Sequence, residues 1–131
     1  MGASTPGFAG PGEIIRATSG NDVLARWLSS TQLQAYAGSN LNSSTIVNGS
    51  WQAGLAIYND GGSASAIVVN GSSTTGSVGT ASINSSAALT ICTGGGAQFS
   101  GYVSEVGLWH SGFSSGNQTS LTSNARTYWG F

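Results

Sequence analysis

Phe99-Ser100-Gly101-Tyr102-Val103-Ser104-Glu105-Val106-Gly107-Leu108-Trp109 is the stretch whose reading decides the fold. Aromatic and β-branched residues dominate it, and these fit a pleated, half-buried surface. Gly94-Gly95-Gly96 stands before it and Ser111-Gly112 after it, both turn signals. Strict alternation fails inside it. Phe99, Val103 and Trp109 share one parity, while Tyr102, Val106 and Leu108 share the other. Either the strand is buried on both faces or a bulge near Glu105 shifts the register. The expectation is a central strand in a two-layer β structure, with the core meeting around Val103 and Val106.

Outward from this stretch the chain keeps the same grammar. Glu13–Ala17 and Val23–Leu28 read as short strands, Trp27 favouring strand over helix in the second. Leu33, Ala35 and Ala37 alternate with Gln34 and Tyr36. Thr45-Ile46-Val47 is a short strand before an Asn48-Gly49 turn. Trp51 to Tyr58 alternates, with Trp51, Ala53, Leu55 and Ile57 on one side. Ala64 to Val69 pairs back on it. Asn70-Gly71 supplies the positive φ angles of a type I′ hairpin turn. Strands follow at about 74–78 and 88–92. This strand-turn spacing predicts an all-β sandwich or barrel, not βαβ units.

The end of the chain differs. Ser115-Gly116-Asn117-Gln118 has the form of a capping box. Leu121, Ala125 and Tyr128 then recur at helical spacing. One short helix over about 115–128 is expected. Residues 1–13 hold both prolines and are read as an extended leader, leaving 14–131 as the sandwich with its helix.

Composition narrows the function. At 131 residues the chain is one domain. Charged residues make up 5%, against about 25% in an average globular protein, and lysine is absent. Nucleic acid is not an expected partner, because phosphate neutralisation needs clustered cations and only Arg16, Arg26 and Arg126 are present. Membrane insertion is not expected either: no apolar run approaches the ~20 residues of a spanning helix. Cys92 is the only cysteine, so an internal disulfide is excluded and a buried thiol is expected. A polar surface of Ser, Thr, Asn and Gly without charge fits an extracellular module or a particle surface. The N-terminus has no basic region and hydrophobic core of a secretory signal. A chain cut from a precursor, or one assembled inside a cell that later lyses, as a virion protein is, reconciles the two.

Several of these motifs together resemble the laminin-G-like/concanavalin A-like jelly-roll superfamily in its bacterial and phage form. Val69-Asn70-Gly71, following the Trp51-to-Tyr58 strand, is similar to that family's hairpin. Phe99-x-Gly101-Tyr102-Val103-x-Glu105-Val106-x-Leu108-Trp109 is similar to one of its strands. Residues 114–130, ending in Tyr128-Trp129-Gly130, resemble its C-terminal helix. The match runs from about Ile14 to Gly130 and looks like the later part of the usual domain. The resemblance implies an antiparallel jelly-roll β-sandwich with one short C-terminal helix. It also implies a sandwich that is either reduced or completed by a neighbouring chain.

Catalytic chemistry has little to stand on. Glycoside hydrolysis needs two carboxyl groups flanking one bond, and Glu105 stands alone on its strand. Asp22, Asp60 and Glu13 fall in turns or the leader. A Ser-His-Asp triad would have to use His110, the only histidine. Asp60 offers one carboxylate where Ca²⁺ takes six to eight oxygens. No catalytic residue, metal or cofactor is expected. Glycan binding asks for a flat aromatic beside amide or hydroxyl groups. Trp27, Tyr36, Trp51, Tyr58, Tyr102, Trp109 and Trp129 are the aromatic candidates. Tyr36 with Gln34, Asn59 and Asp60 is the preferred set, because Tyr36 shares a face with a polar neighbour. The expected function is a non-catalytic module on a virion or other extracellular surface or appendage, attaching to cell-surface glycans. Its expected partners are other chains of the assembly. An architectural cementing subunit and a fragment of a glycan-active enzyme are the competing readings.

Overall fold

The computed structural model describes residues 2–4, 12–18, 23–29, 31–44, 50–58, 65–81, 87–92, 99, 101–109 and 113–130. They form β1 (Gly2–Ser4), β2 (Gly12–Thr18), β3 (Val23–Ser29), β4 (Gln32–Tyr36), β5 (Asn40–Asn42), β6 (Gln52–Ile57), β7 (Ser65–Val69), β8 (Ser72–Gly76), β9 (Ala88–Ile91), β10 (Tyr102–Glu105) and α1 (Ser115–Trp129). The strands make two five-stranded sheets, ordered β10-β1-β6-β7-β8 and β5-β4-β3-β2-β9. Every pairing is antiparallel. The expected Thr45–Gly49 strand and turn lie outside the described residues.

Alternation along the strands sends one face of each sheet to a shared core. Val23, Trp27, Leu33, Ala35 and Leu41 come from the β5–β9 sheet, and Ile67 and Val69 from the other. Trp27 lies at the centre, 1% exposed, with the Phe99 ring tilted against it at 6.4 Å between centroids. The core therefore gathers around Trp27. Val103 only packs against its margin, a correction to the expected centre.

β7 is buried along its whole length. Ile67 and Val69 face the core, while Ala66 and Val68 face the other way together with Ala53 and Leu55 of β6. α1 covers that second face, packing on β6 and β7. Burial on both faces explains the unbroken apolar run from Ala66 to Val69. The hairpin beyond it closes as expected: Asn70 and Gly71 have φ of 52° and 86°, and Val69 pairs with Ser72.

The 99–109 stretch is the main correction. Only Tyr102–Glu105 forms a strand, and it is an edge, not a centre. β1 occupies the position between β10 and β6. Of the two alternatives for the broken alternation of this stretch, the bulge near Glu105 is the one present. Gly2 and Ala3, adjacent on β1, pair with Glu105 and Val103, skipping Ser104. Residues 1–13, expected as a leader, contribute β1 to one sheet and Gly12 and Glu13 to the other.

α1 starts at Ser115 as expected, but its cap lies one residue earlier than the expected one. Ser114 is the N-cap, its hydroxyl accepting from the Asn117 amide at 3.3 Å. The Gln118 side chain donates to the Phe113 carbonyl instead of closing a capping box. The buried face runs through Gln118, Leu121, Thr122 and Ala125, whereas Tyr128 is 80% exposed. Thr122 tolerates full burial because its hydroxyl donates to the Gln118 and Thr119 carbonyls within the helix. Gly130, at φ 76°, ends the helix with its amide on the Arg126 carbonyl.

Candidate functional site

The expected site lies on the face of the β5–β9 sheet that points away from the core. A bulge at Ile14 shapes this face. Glu13 pairs with Arg26 and Ile15 with Ala25, so Ile14 turns into the core. Glu13 and Arg16 thereby share a face three residues apart and form an ion pair of 2.9 Å. Beside it runs a cross-strand row, Glu13–Arg26–Gln34–Asn42, over four strands. Arg26 Nε donates to Gln34 Oε1 at 2.7 Å, and Gln34 Nε2 donates to Asn42 Oδ1 at 2.8 Å.

Gln34 is 3% exposed, with both ends of its amide occupied. Expected as a polar partner for a ligand beside Tyr36, Gln34 instead links β3, β4 and β5 through its amide and is shut off by burial. Tyr36 itself is half-buried, between Leu24 and the exposed Asn40. Asn59 and Asp60 lie outside the described residues, as does His110. The structure brings Tyr36 and Gln34 onto one face, as their spacing requires. Glu13 Oε2 is buried there without a hydrogen-bond partner.

Tyr58, just beyond β6, ties the two sheets together. Its hydroxyl donates to the Leu24 carbonyl of β3 at 2.6 Å. Burial around the oxygen pushes its pKa well above the ordinary tyrosine value, and a backbone hydrogen bond from Tyr36 works weakly against that. A raised acid pKa means the folded state holds a proton that the unfolded chain releases above about pH 10. The stabilisation is complete below that pH and is lost as pH rises through it. Tyr58→Phe is expected to cost about 1 kcal/mol near neutrality, from the lost hydrogen bond. The deficit should narrow as urea midpoints of the two proteins are compared upward from about pH 9. Parallel curves at all pH values would refute the assignment. Cys92 behaves more mildly: it is half-buried, with its thiol pKa raised by burial.

A second group of side chains is far more open. The register skips Ser104, so the β10 bulge turns Glu105 away from Val103 and onto the face shared with Tyr102. That is the α1 side of the sheet. The indole N–H of Trp129, in the last turn of α1, donates to Glu105 Oε2 at 3.3 Å. Tyr102 is 65% exposed, and Trp129 and Tyr128 are exposed beside each other, their rings at 84° and 5.2 Å between centroids. Trp109, also exposed, meets Phe113 edge-on at 5.3 Å. Each of these aromatics is visible in the sequence. Nothing there joins Glu105 to Trp129, because the contact depends on where the helix docks.

Trp27, by contrast, is fully buried, and its indole N–H has no partner. It is a core residue and no ligand platform. Among the described residues no group of three or more His, Cys, Asp or Glu gathers as a metal site would. Among the described residues no helix is long and apolar enough to cross a membrane. Comparison with family models, curated proteins and solved structures finds no match to this chain.

Proposed function

We propose that this chain is a non-catalytic module displayed on an assembled particle, of the virion-surface or appendage kind, and that it attaches to glycans. The observation that carries the attachment is the exposed rim of Tyr102, Glu105, Tyr128 and Trp129. Aromatic faces carry partial negative charge and stack on the C–H faces of a pyranose ring. A carboxylate held in place by an indole N–H keeps an oxygen free to accept from sugar hydroxyls. The carboxylate itself has a structural partner, which supports a binding role over a catalytic one.

The fold adds support for a jelly-roll winding. The first strand pairs with the last, β1 with β10, and the second with the last but one, β2 with β9. β3–β5 and β6–β8 are hairpin meanders between them. Nested pairing of this kind is what two chain halves wound together produce. The sparse charge and the Ser/Thr/Asn/Gly surface support display outside a cell.

A glycan array probed with the intact chain tests the attachment. Trp129→Ala is expected to abolish the signal and Glu105→Gln to weaken it about tenfold, the loss of one charge-assisted contact. Tyr36→Ala should leave it unchanged. An array without binding leaves the architectural reading, which the open flank described next favours.

A further inference from the structure

Among the described residues four strand edges bound the two sheets, and three of them are guarded. β5 is three residues long and carries exposed Asn40 and Asn42. β8 is Ser72-Ser73-Thr74-Thr75-Gly76, without a large apolar side chain. β10 is broken by its bulge and carries Glu105. Short length, polar residues, charge and bulges are the devices that keep sheet edges from pairing with other chains.

β9 is short and carries one threonine, but it has no charge and no bulge. Ala88-Leu89-Thr90-Ile91 is uncharged and pairs with β2 in unbroken register. Leu89 and Ile91 lie opposite Ala17 and Ile15, on the core side of the sheet. Ala17 is buried, yet Leu89 and Ile91 are 46% and 47% exposed. β5 stacks over β7 and β8, and β4 over β7. The opposite ends, β9 and β10, therefore fall on one flank of the sandwich, where no other described strand covers Leu89 and Ile91.

We propose that β9 pairs antiparallel with β9 of a second copy, about a two-fold axis at Thr90. In this register Thr90 faces its own equivalent, and Leu89 of each copy faces Ile91 of the other. The two five-stranded sheets become one sheet of ten. The strand is self-complementary: aliphatic side chains meet on the core face and threonines on the other. Charge does not oppose the contact. β9 carries none, the adjacent Glu13 and Arg16 neutralise each other, and the net charge of each chain is −1. One four-residue edge covers less than the ~800 Å² per partner of a standard interface. The pair is therefore weak in dilute solution and persists where many copies are held side by side, so the inference rests on the assembly reading above.

Sedimentation of the intact chain up to millimolar concentration tests it. The weight-average mass is expected to rise towards that of a dimer. Leu89→Lys with Ile91→Lys should hold it at the monomer, with an unchanged circular dichroism spectrum. Opposed Cα atoms in an antiparallel pair lie about 4.5–5.5 Å apart, within the range a disulfide spans. Thr90→Cys, in a Cys92→Ser background, should therefore form a dimer under diamide, which takes up the two thiol hydrogens. Ser39→Cys in the same background should not. A monomer at every concentration overturns the pairing, as does association that the two lysines leave intact. Association without the Thr90→Cys cross-link overturns the register and with it the proposal. Glycan binding is read on monomer and dimer alike, so its failure is a separate result.

Discussion

Trp27→Ala is expected to lower stability by about 3–5 kcal/mol, a large part of the ~5–15 kcal/mol that holds a domain folded. Trp27 is the largest fully buried side chain, and both sheets close on it. Truncation leaves a cavity between two sheets already fixed by their own ladders, so relaxation cannot fill it. The urea midpoint should fall while its slope stays constant, since the surface exposed on unfolding barely changes. Trp27→Phe should cost clearly less. It keeps most of the ring and removes an indole N–H that is buried without a partner, a group that itself costs about 1–3 kcal/mol. Equal losses for Ala and Phe would mean that the N–H finds a partner in solution.

Gly79→Ala is expected to cost about 3 kcal/mol or more, from backbone strain and a collision together. Gly79 has φ of 93°, a region side chains avoid. An added Cβ would also meet the Ala37 carbonyl oxygen and, at 2.7 Å, the Ser39 amide nitrogen. These are backbone atoms, locked by a strap: the Val78 carbonyl accepts from Ala37 and Ser39, and the Ala81 amide donates to the Ala37 carbonyl, each at 2.8 Å. The strap cannot yield without releasing the turn between β4 and β5. Gly116→Ala is the comparison. It lies in the first turn of α1 with open space around it, and the change should stabilise by about 0.5–1 kcal/mol. Chemical denaturation of the two variants should show opposite signs. A neutral Gly79→Ala would show that the strap is not tight.

The proposed glycan rim illustrates how far a sequence carries a site. Tyr102, Trp109 and Trp129 stand out as aromatics in it, but so do Trp27 and Tyr36. Only burial separates a core ring from an exposed one. Gln34 is the instructive failure. On an alternating strand it reads as solvent-facing, yet Arg26 and Asn42, from neighbouring strands, enclose it. The sheet face that should be wet is instead a hydrogen-bonded polar layer.

By itself the sequence determined whatever is local in origin. Alternation placed Leu33 and Ala35 on one face of β4, with Ala37 just beyond its end, and Asn70-Gly71 dictated its hairpin because the turn demands two positive φ angles. The helix was legible in its extent, though its cap is Ser114 and not Ser115. Tertiary structure alone decided which strands are central. The two-sided burial that was one alternative for 99–109 belongs to β7, because α1 docks on β6 and β7 and β1 fills the place beside β6. Such choices depend on contacts between segments up to a hundred residues apart. Periodicity says that a strand has a buried face, but the covering layers are set only when the chain packs.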